Sequence, residues 1–313
     1  MIGAGHMGRL HAQKLAALPG VELVGVADPD DARARELASA LKCPSFKRHE
    51  DLLGKAEAVV IAAPTDRHHA IARACLERGL HVLVEKPIAQ TLREADELIY
   101  LAQENAKVLQ VGHVERFNRA FTALAARMDR PLYLEAERLS AFKTRGAEVD
   151  VVLDLMIHDI DLALALARAP LTDVSACGFR VLTGDIDIAN ARLEFANGCV
   201  ASLSASRVSQ AGLRKLRVFQ TDLYVSADLQ RGSLRYVRQA GGTIEETEES
   251  HAGGDALAAQ AEAFVASIRD GQPVRVDGQA GRLALQVALD IGRRVRERLE
   301  RFAGPREARA GTR

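Results

Sequence analysis

A glycine run near the start constrains this chain more than any other feature. Gly3-Ala4-Gly5-His6-Met7-Gly8 has the spacing G-x-G-x-x-G and opens an amphipathic stretch over residues 7–18. Asp28 follows twenty positions after Gly8, at the end of the apolar run 21–27. In a strand–turn–helix unit the first glycine permits a tight turn, the second lets a phosphate approach the backbone, and the third lets the helix pack on the strand. The helix start, with His6 and Met7 in its first turn, presents free N–H groups and partial positive charge to a pyrophosphate. An aspartate at position 28 accepts hydrogen bonds from ribose hydroxyls and repels a 2′-phosphate. The expected ligand is therefore NAD rather than NADP, held by Gly3, Gly5, His6, Met7, Gly8 and Asp28. The competing reading of Asp28 is a surface residue in the turn Asp28-Pro29-Asp30.

The first third of the chain repeats one rhythm. Apolar runs at 21–27, 58–63, 81–85 and 108–112 alternate with helical patterns at 7–18, 31–41, 69–78 and 92–104. Thr91 and Glu94 stand in capping-box spacing ahead of the last of these. Near-continuous apolar strands separated by helices predict a doubly wound parallel sheet covered on both faces. One departure stands out: only Met1 and Ile2 precede Gly3, where a strand usually runs to about five residues. That strand belongs at the centre of the sheet, so the natural chain is expected to begin upstream or to be truncated here.

After Phe117 the rhythm changes. A helix pattern at 119–128 leads to a strand at 132–139 and a strongly apolar helix at 151–168. Strand-like runs follow at 174–182, 187–195, 200–206, 215–219, 224–228 and 233–237, with Gly198, Gly212 and Gly232 in their turns. Consecutive strands joined by short turns predict a mainly antiparallel sheet. Helices at 255–269 and 279–301 close the chain. The expected division is an α/β domain over 1–116, an α+β domain over 117–303, and a disordered tail over 304–313.

Composition narrows the function classes. Acidic and basic residues balance at 42 each and tryptophan is absent, which speaks against nucleic-acid binding. Four singly placed cysteines, Cys43, Cys75, Cys177 and Cys199, suit free thiols in a reducing cytosol. Neither a signal-peptide pattern nor an uncharged apolar stretch of roughly 18 residues is evident. The expected location is the cytoplasm, with no membrane partner.

Two further constellations carry chemistry. Glu85-Lys86-Pro87 ends the run 81–85, and ligands of open parallel sheets gather at the carboxyl ends of strands. A lysine there can hold a substrate hydroxyl and lower its pKa; the competing reading is a solvated lysine. The second constellation is Asp154-Leu155-Met156-Ile157-His158-Asp159-Ile160-Asp161. On an α-helix, residues 154, 158 and 161 share one face. A histidine on that face can take a proton as a hydride leaves, since its unperturbed pKa is about 6.5. Asp154 would bind substrate and Asp161 would orient the imidazole. An internally satisfied polar cluster and a metal site are the alternatives; no further ligand pair supports a metal, and none is expected.

Together these motifs resemble the glucose–fructose oxidoreductase / inositol dehydrogenase (Gfo/Idh/MocA) family over nearly the whole chain. The matching residues are the fingerprint, Ala63-Pro64-Thr65-Asp66-Arg67-His68, Glu85-Lys86-Pro87, Arg116-Phe117-Asn118, Asp154-x-x-x-His158, and Gln260 with Phe264 and Gly271-Gln272-Pro273. The resemblance implies a Rossmann domain joined to an open-faced sheet that binds substrate and builds homo-oligomers. It implies Lys86 and His158 as catalytic pair, Pro64, Thr65, His68 and Glu85 along the cofactor cleft, and Arg116 facing cofactor or substrate.

Val114-Glu115-Arg116-Phe117-Asn118, the run 149–161, and Ser206-Arg207-Val208 with Arg214-Lys215-Leu216-Arg217 are similar to one branch, the UDP-N-acetylglucosamine 3-dehydrogenases of lipid A biosynthesis. That branch oxidises the sugar C3 hydroxyl to a ketone, which a partner aminotransferase then aminates. Arg138, Lys143, Arg145, Arg207 and Arg214 are basic residues of the second domain, some of which would neutralise a diphosphate; surface arginines are the bland alternative. The competing functions are an inositol or other polyol dehydrogenase, a glycosidase using NAD transiently, and a non-catalytic NAD- or sugar-sensing regulator.

Overall fold

The computed structural model describes residues 1–142 and 149–302. Lys143, Arg145 and the tail 304–313 lie outside the described residues. The chain forms two compact units, Met1–Phe117 with Asp255–Leu285 and Asn118–Gly254 with Gln286–Arg313. Residues Asp255–Leu285, which a linear division at 116 assigns to the second domain, thus belong to the first unit.

The first unit runs α1 (His6–Ala17), β1 (Val26–Ala27), α2 (Asp31–Leu41), β2 (Ser45–Phe46), β3 (Ala58–Ile61), α3 (Thr65–Glu77), β4 (His81–Glu85), α4 (Leu92–Glu104) and β5 (Leu109–Gly112). Strands β3, β4 and β5 are parallel neighbours, as are β1 and β2. Val82, Leu83 and Val84 of β4 are fully buried, as a strand covered on both faces requires. Asp30 caps α2 by accepting from the Ala32 and Arg33 N–H groups. The Thr91–Glu94 capping box of α4 forms in both directions.

Ile2 joins the two halves of this sheet, bridging Ala27 on one side and Ile61 on the other. Its N–H donates to the Val60 carbonyl and its carbonyl accepts from Ala62, at 2.8 and 2.9 Å. Residues 21–25 were expected to continue β1 but are irregular. The Met1 carbonyl accepts from Ala27, and its ammonium donates to the Gly25 carbonyl at 2.9 Å. Residues 20–24 and 56–60 line a cavity of about 1060 Å3. This cavity lies at the N-terminal ends of β3 and β4, away from the fingerprint.

The second unit contains α5 (Arg119–Arg127), β6 (Tyr133–Leu139), a π-helical turn over Val152–Met156, α6 (Ile157–Ala167), β7 (Leu171–Phe179), β8 (Ile188–Phe195), β9 (Val200–Ser206), β10 (Leu213–Gln220), β11 (Leu223–Asp228), β12 (Ser233–Ala240) and β13 (Thr243–Ser250). Its eight strands take the order β13-β12-β11-β10-β6-β9-β8-β7, antiparallel throughout except for the β6–β9 pair. Burial alternates along β6, β8 and β9, so one face of the sheet meets α6 while the other is more exposed. Strand β13 was not expected. Its sequence Thr-Ile-Glu-Glu-Thr-Glu-Glu-Ser is exposed nearly throughout. Arg235–Glu246 and Arg238–Glu245 ion pairs from β12 hold it in place, and its charges suit an edge strand.

Two helices end the chain. α7 (Ala256–Arg269) packs on α1 in the first unit, and α8 (Gly278–Phe302) supplies residues to both units. No helix among the described residues is long and apolar enough to cross a membrane.

Candidate active site

The fingerprint glycines have separate physical roles. Gly3 has φ +92°, and a Cβ there would lie 2.5 Å from the Ala62 carbonyl oxygen. A Cβ on Gly8 would lie 1.9 Å from the Gly3 oxygen, which any side chain would violate. Gly5 differs: no atom lies within 4 Å of its would-be Cβ. It is the N-cap of α1 and brings no side-chain cap, so the first N–H groups of the helix face open space beside it. His6 is exposed and Met7 half-buried. Asp28 reaches the same turn, its Oδ2 accepting from the Ala4 N–H at 2.6 Å and its Oδ1 from Asp30 at 2.8 Å.

Pro64 is the N-cap of α3, with Thr65 as its first residue. His68 sits one turn on and is 1% exposed. Its Nδ1 lies 2.8 Å from the Pro87 carbonyl and its Nε2 2.9 Å from that of Ala63. Both ring nitrogens are thus spent on backbone. A neutral ring donates to one carbonyl and an imidazolium to both. His68, expected along the cofactor cleft, ties the turn after β3 to the turn after β4.

Lys86 follows β4 directly and is half-buried, and the Lys86–Pro87 peptide is cis. Glu85 is buried, with one carboxylate oxygen 2.6 Å from His11 Nε2. Arg116 lies in a 3-10 turn over Val114–Phe117, where its Nη2 donates to the Arg275 carbonyl at 3.4 Å. The Arg275 guanidinium stacks 5.0 Å from the Phe117 ring. Burial, helped by the Arg116 charge, lowers the Arg275 pKa.

In the second unit the chemistry-bearing helix is not uniformly α. Asp154 lies in the π turn and His158 in α6. The expected single α-helical face for 154, 158 and 161 therefore holds only from His158 to Asp161, because a π turn bonds i to i+5 and is wider. Asp154 and His158 are half-buried, whereas Asp159 and Asp161 are buried. Asp159 receives a bidentate pair from Arg138, at 2.9 and 2.8 Å, which places Arg138 in the core rather than toward a diphosphate. Arg207 is likewise 4% exposed. Its guanidinium donates to the Val149 carbonyl, and its backbone N–H donates to that of Asp187. These bonds brace the loops around it. Arg214 is exposed.

Comparison with known proteins places the chain. Residues 1–113 match the Gfo/Idh/MocA oxidoreductase family, NAD-binding Rossmann fold, and residues 121–225 match the Gfo/Idh/MocA C-terminal domain. The chain belongs to the Gfo/Idh/MocA oxidoreductase family. It is 42% identical over 308 residues to a UDP-N-acetylglucosamine 3-dehydrogenase of Acidithiobacillus ferrooxidans, covering 96% of this chain and 98% of that protein. A solved structure of the Acidithiobacillus enzyme superposes with a TM-score of 0.90, covering 94% of this chain and 96% of that one. A scyllo-inositol 2-dehydrogenase (NAD(+)) of Bacillus subtilis is 31% identical over 235 residues, 68% of each chain.

As a Gfo/Idh/MocA protein the chain is an NAD-binding oxidoreductase, and its own residues fit that cofactor. The space at Gly5, where a side chain would intrude, and the uncapped start of α1 fit a pyrophosphate. The two Asp28 oxygens, each already holding one N–H, retain acceptor capacity for a ribose diol. Among the described residues no group of three or more His, Cys, Asp or Glu side chains is arranged to hold a metal ion. Sequence reasoning missed His11, Gly112 and the Arg138–Asp159 pair. A histidine on the inner face of α1 and an aspartate in an apolar helix were the available signals, since buried polar groups require partners.

Proposed function

We propose that this chain oxidises the C3 hydroxyl of UDP-N-acetylglucosamine to a ketone, with NAD as acceptor. The observation that carries the substrate class is the extent of similarity. The 42% identity to the Acidithiobacillus enzyme runs over 96% of the chain, and so over both units, whereas inositol dehydrogenases that match over 95% of the chain are only 24% and 27% identical. In this reading Gly3, Gly5, His6, Met7, Gly8 and Asp28 hold the dinucleotide, with Pro64, Thr65, Glu85 and Arg116 around it. Bound NAD supplies the acceptor for the C3 hydride. Lys86 holds the reacting hydroxyl and favours its ionised form. His158 takes the hydroxyl proton as the C–H bond breaks, and Asp154 binds the sugar.

Arg145, together with Lys143, is the remaining candidate for the diphosphate; both lie outside the described residues. The product ketone is a substrate for an aminotransferase, as in lipid A biosynthesis. Four free cysteines fit a reducing cytoplasm, and the more exposed face of the eight-stranded sheet supports assembly into a homo-oligomer.

The test compares kcat/KM for UDP-N-acetylglucosamine, free N-acetylglucosamine and myo-inositol with NAD. The nucleotide sugar is expected to exceed both others by at least about 100-fold, roughly the worth of two charge-assisted hydrogen bonds to its diphosphate. Higher kcat/KM on inositol would assign the chain to polyol oxidation instead.

A further inference from the structure

Three groups converge behind Lys86. Glu85 pairs with Gly112 across β4 and β5, and its carboxylate occupies the space a side chain at 112 would need. A Cβ on Gly112 would lie 3.0 Å from both Glu85 Cα and Cδ and 3.1 Å from its Oε1. That Oε1 meets His11 Nε2 at 2.6 Å. The other oxygen, Oε2, accepts the backbone N–H of Lys86 at 3.2 Å. His11 is 0% exposed and Glu85 8%. His11 Nδ1 has no hydrogen-bond partner among the described residues, so Glu85 is the one group among them that its ring nitrogens engage.

Such a pair is a poor device for stability. A buried carboxylate and a buried ring with one nitrogen unsatisfied both carry desolvation costs, and buried polar pairs are often no better than apolar residues of the same shape. What the pair does hold is the backbone at the residue that bears the reactive amine. We propose that His11 and Glu85 are positioning residues for Lys86. His11 fixes the Glu85 carboxylate over Gly112, and Glu85 fixes the Lys86 backbone, so the lysine amine is presented in one orientation. The proposal rests on the reading of Lys86 as the residue that holds the reacting hydroxyl. Catalytic geometry is sensitive at this level: a displacement of about 1 Å can cost 10²-fold in rate.

The experiment is a steady-state comparison of His11→Ala, His11→Gln, Gly112→Ala, the His11→Ala/Gly112→Ala double variant and Lys86→Ala, with NAD and UDP-N-acetylglucosamine. His11→Ala is expected to lower kcat by about 10- to 100-fold with the KM for NAD within about twofold. His11→Gln, whose amide can donate to Glu85, is expected to recover most of that loss. Gly112→Ala displaces the same carboxylate, so it is expected to repeat the kcat loss. The double variant is then expected to be little worse than either single one, as coupled positions behave. Gly112→Ala also keeps the test open should His11→Ala fail to fold. Unchanged kcat in His11→Ala and Gly112→Ala beside an inactive Lys86→Ala overturns the pair alone. A kcat loss that glutamine does not recover also overturns it, because the rate would then not depend on a hydrogen bond donated to Glu85. An active Lys86→Ala overturns the assignment of Lys86 itself.

Discussion

Asp28 is expected to set the preference between NAD and NADP, and Asp28→Asn isolates its charge. Each carboxylate oxygen holds one backbone N–H, from Ala4 at 2.6 Å and Asp30 at 2.8 Å. The carboxylate is thus fixed beside the turn that takes the pyrophosphate. A 2′-phosphate at the adenosine ribose would bring roughly −1.5 to −2 charges against it. At about 4 Å each unit pair repels by about 1 kcal/mol in water and about 4 kcal/mol at an effective dielectric of 20. Even the low limit gives roughly 2 kcal/mol, a preference for NAD of about 30-fold in kcat/KM. The Asp28→Asn substitution removes that repulsion. It also leaves only one acceptor oxygen for the two N–H groups, at a stability cost of about 1 kcal/mol. The assay is kcat/KM with NAD and NADP at one saturating sugar concentration. The NAD:NADP ratio is expected to fall at least about tenfold in the variant, with NAD itself used less well. A wild-type preference for NADP, or a ratio unmoved by the substitution, refutes the role given to Asp28.

The other predictions concern the glycine turn, the catalytic groups and acid stability. Gly8→Ala forces a methyl group against the Gly3 carbonyl and is expected to lower stability by about 1–3 kcal/mol. It should also weaken NAD binding at least tenfold by displacing α1. Since the chain has no tryptophan, calorimetric titration is the suitable readout, and unaltered NAD affinity would count against the cradle. Lys86→Ala and His158→Ala are each expected to lower kcat by about 10²–10⁴-fold, and full activity in both variants would remove the proposed mechanism. Asp187 reports on acid stability. Burial raises its pKa, but the N–H groups of Thr183, Val181 and Leu182 and the Thr183 hydroxyl outweigh that and bring it to about 2. Because the folded value lies below the unfolded one of about 3.9, the contribution is complete above about pH 4 and is lost as pH falls toward 2. It amounts to about 2 kcal/mol. In urea titrations the gap between wild type and Asp187→Asn should narrow across that window; a gap independent of pH would contradict the linkage.

Much of this was legible because local chemistry and fold agree. The bounds of α2 and α4 follow from Asp30 and from the Thr91–Glu94 box, each of which satisfies N–H groups that a helix start leaves open. The parallel strands are readable because β4 is buried on both faces and so reads as a continuous apolar run. Other features depend on partners distant in the chain. β13 contains one large apolar residue, the exposed Ile244, and owes its place to arginines on β12. Residues 21–25 carry a strand-like composition, yet they are irregular. The π turn at 152–156 leaves no mark on hydrophobic periodicity.

The site divides in the same way. Glycine spacing and the residues after a strand end are local, so the fingerprint, Asp28 and Lys86 could be picked out directly. The backbone partners of His68 and Arg207, at Ala63, Pro87, Val149 and Asp187, are not legible in the sequence next to them. The partner of His11 is hidden for a related reason: Glu85 lies 74 positions away.

The central claim is a hydride transfer from sugar C3 to NAD, and isotope transfer tests it directly. UDP-N-acetylglucosamine carrying deuterium at C3 alone is incubated with the purified chain and NAD, and the reduced cofactor is analysed by mass. One deuterium is expected in each NADH formed, with a 3-keto nucleotide sugar as co-product. Unlabelled NADH, or label retained in the sugar product, would contradict it.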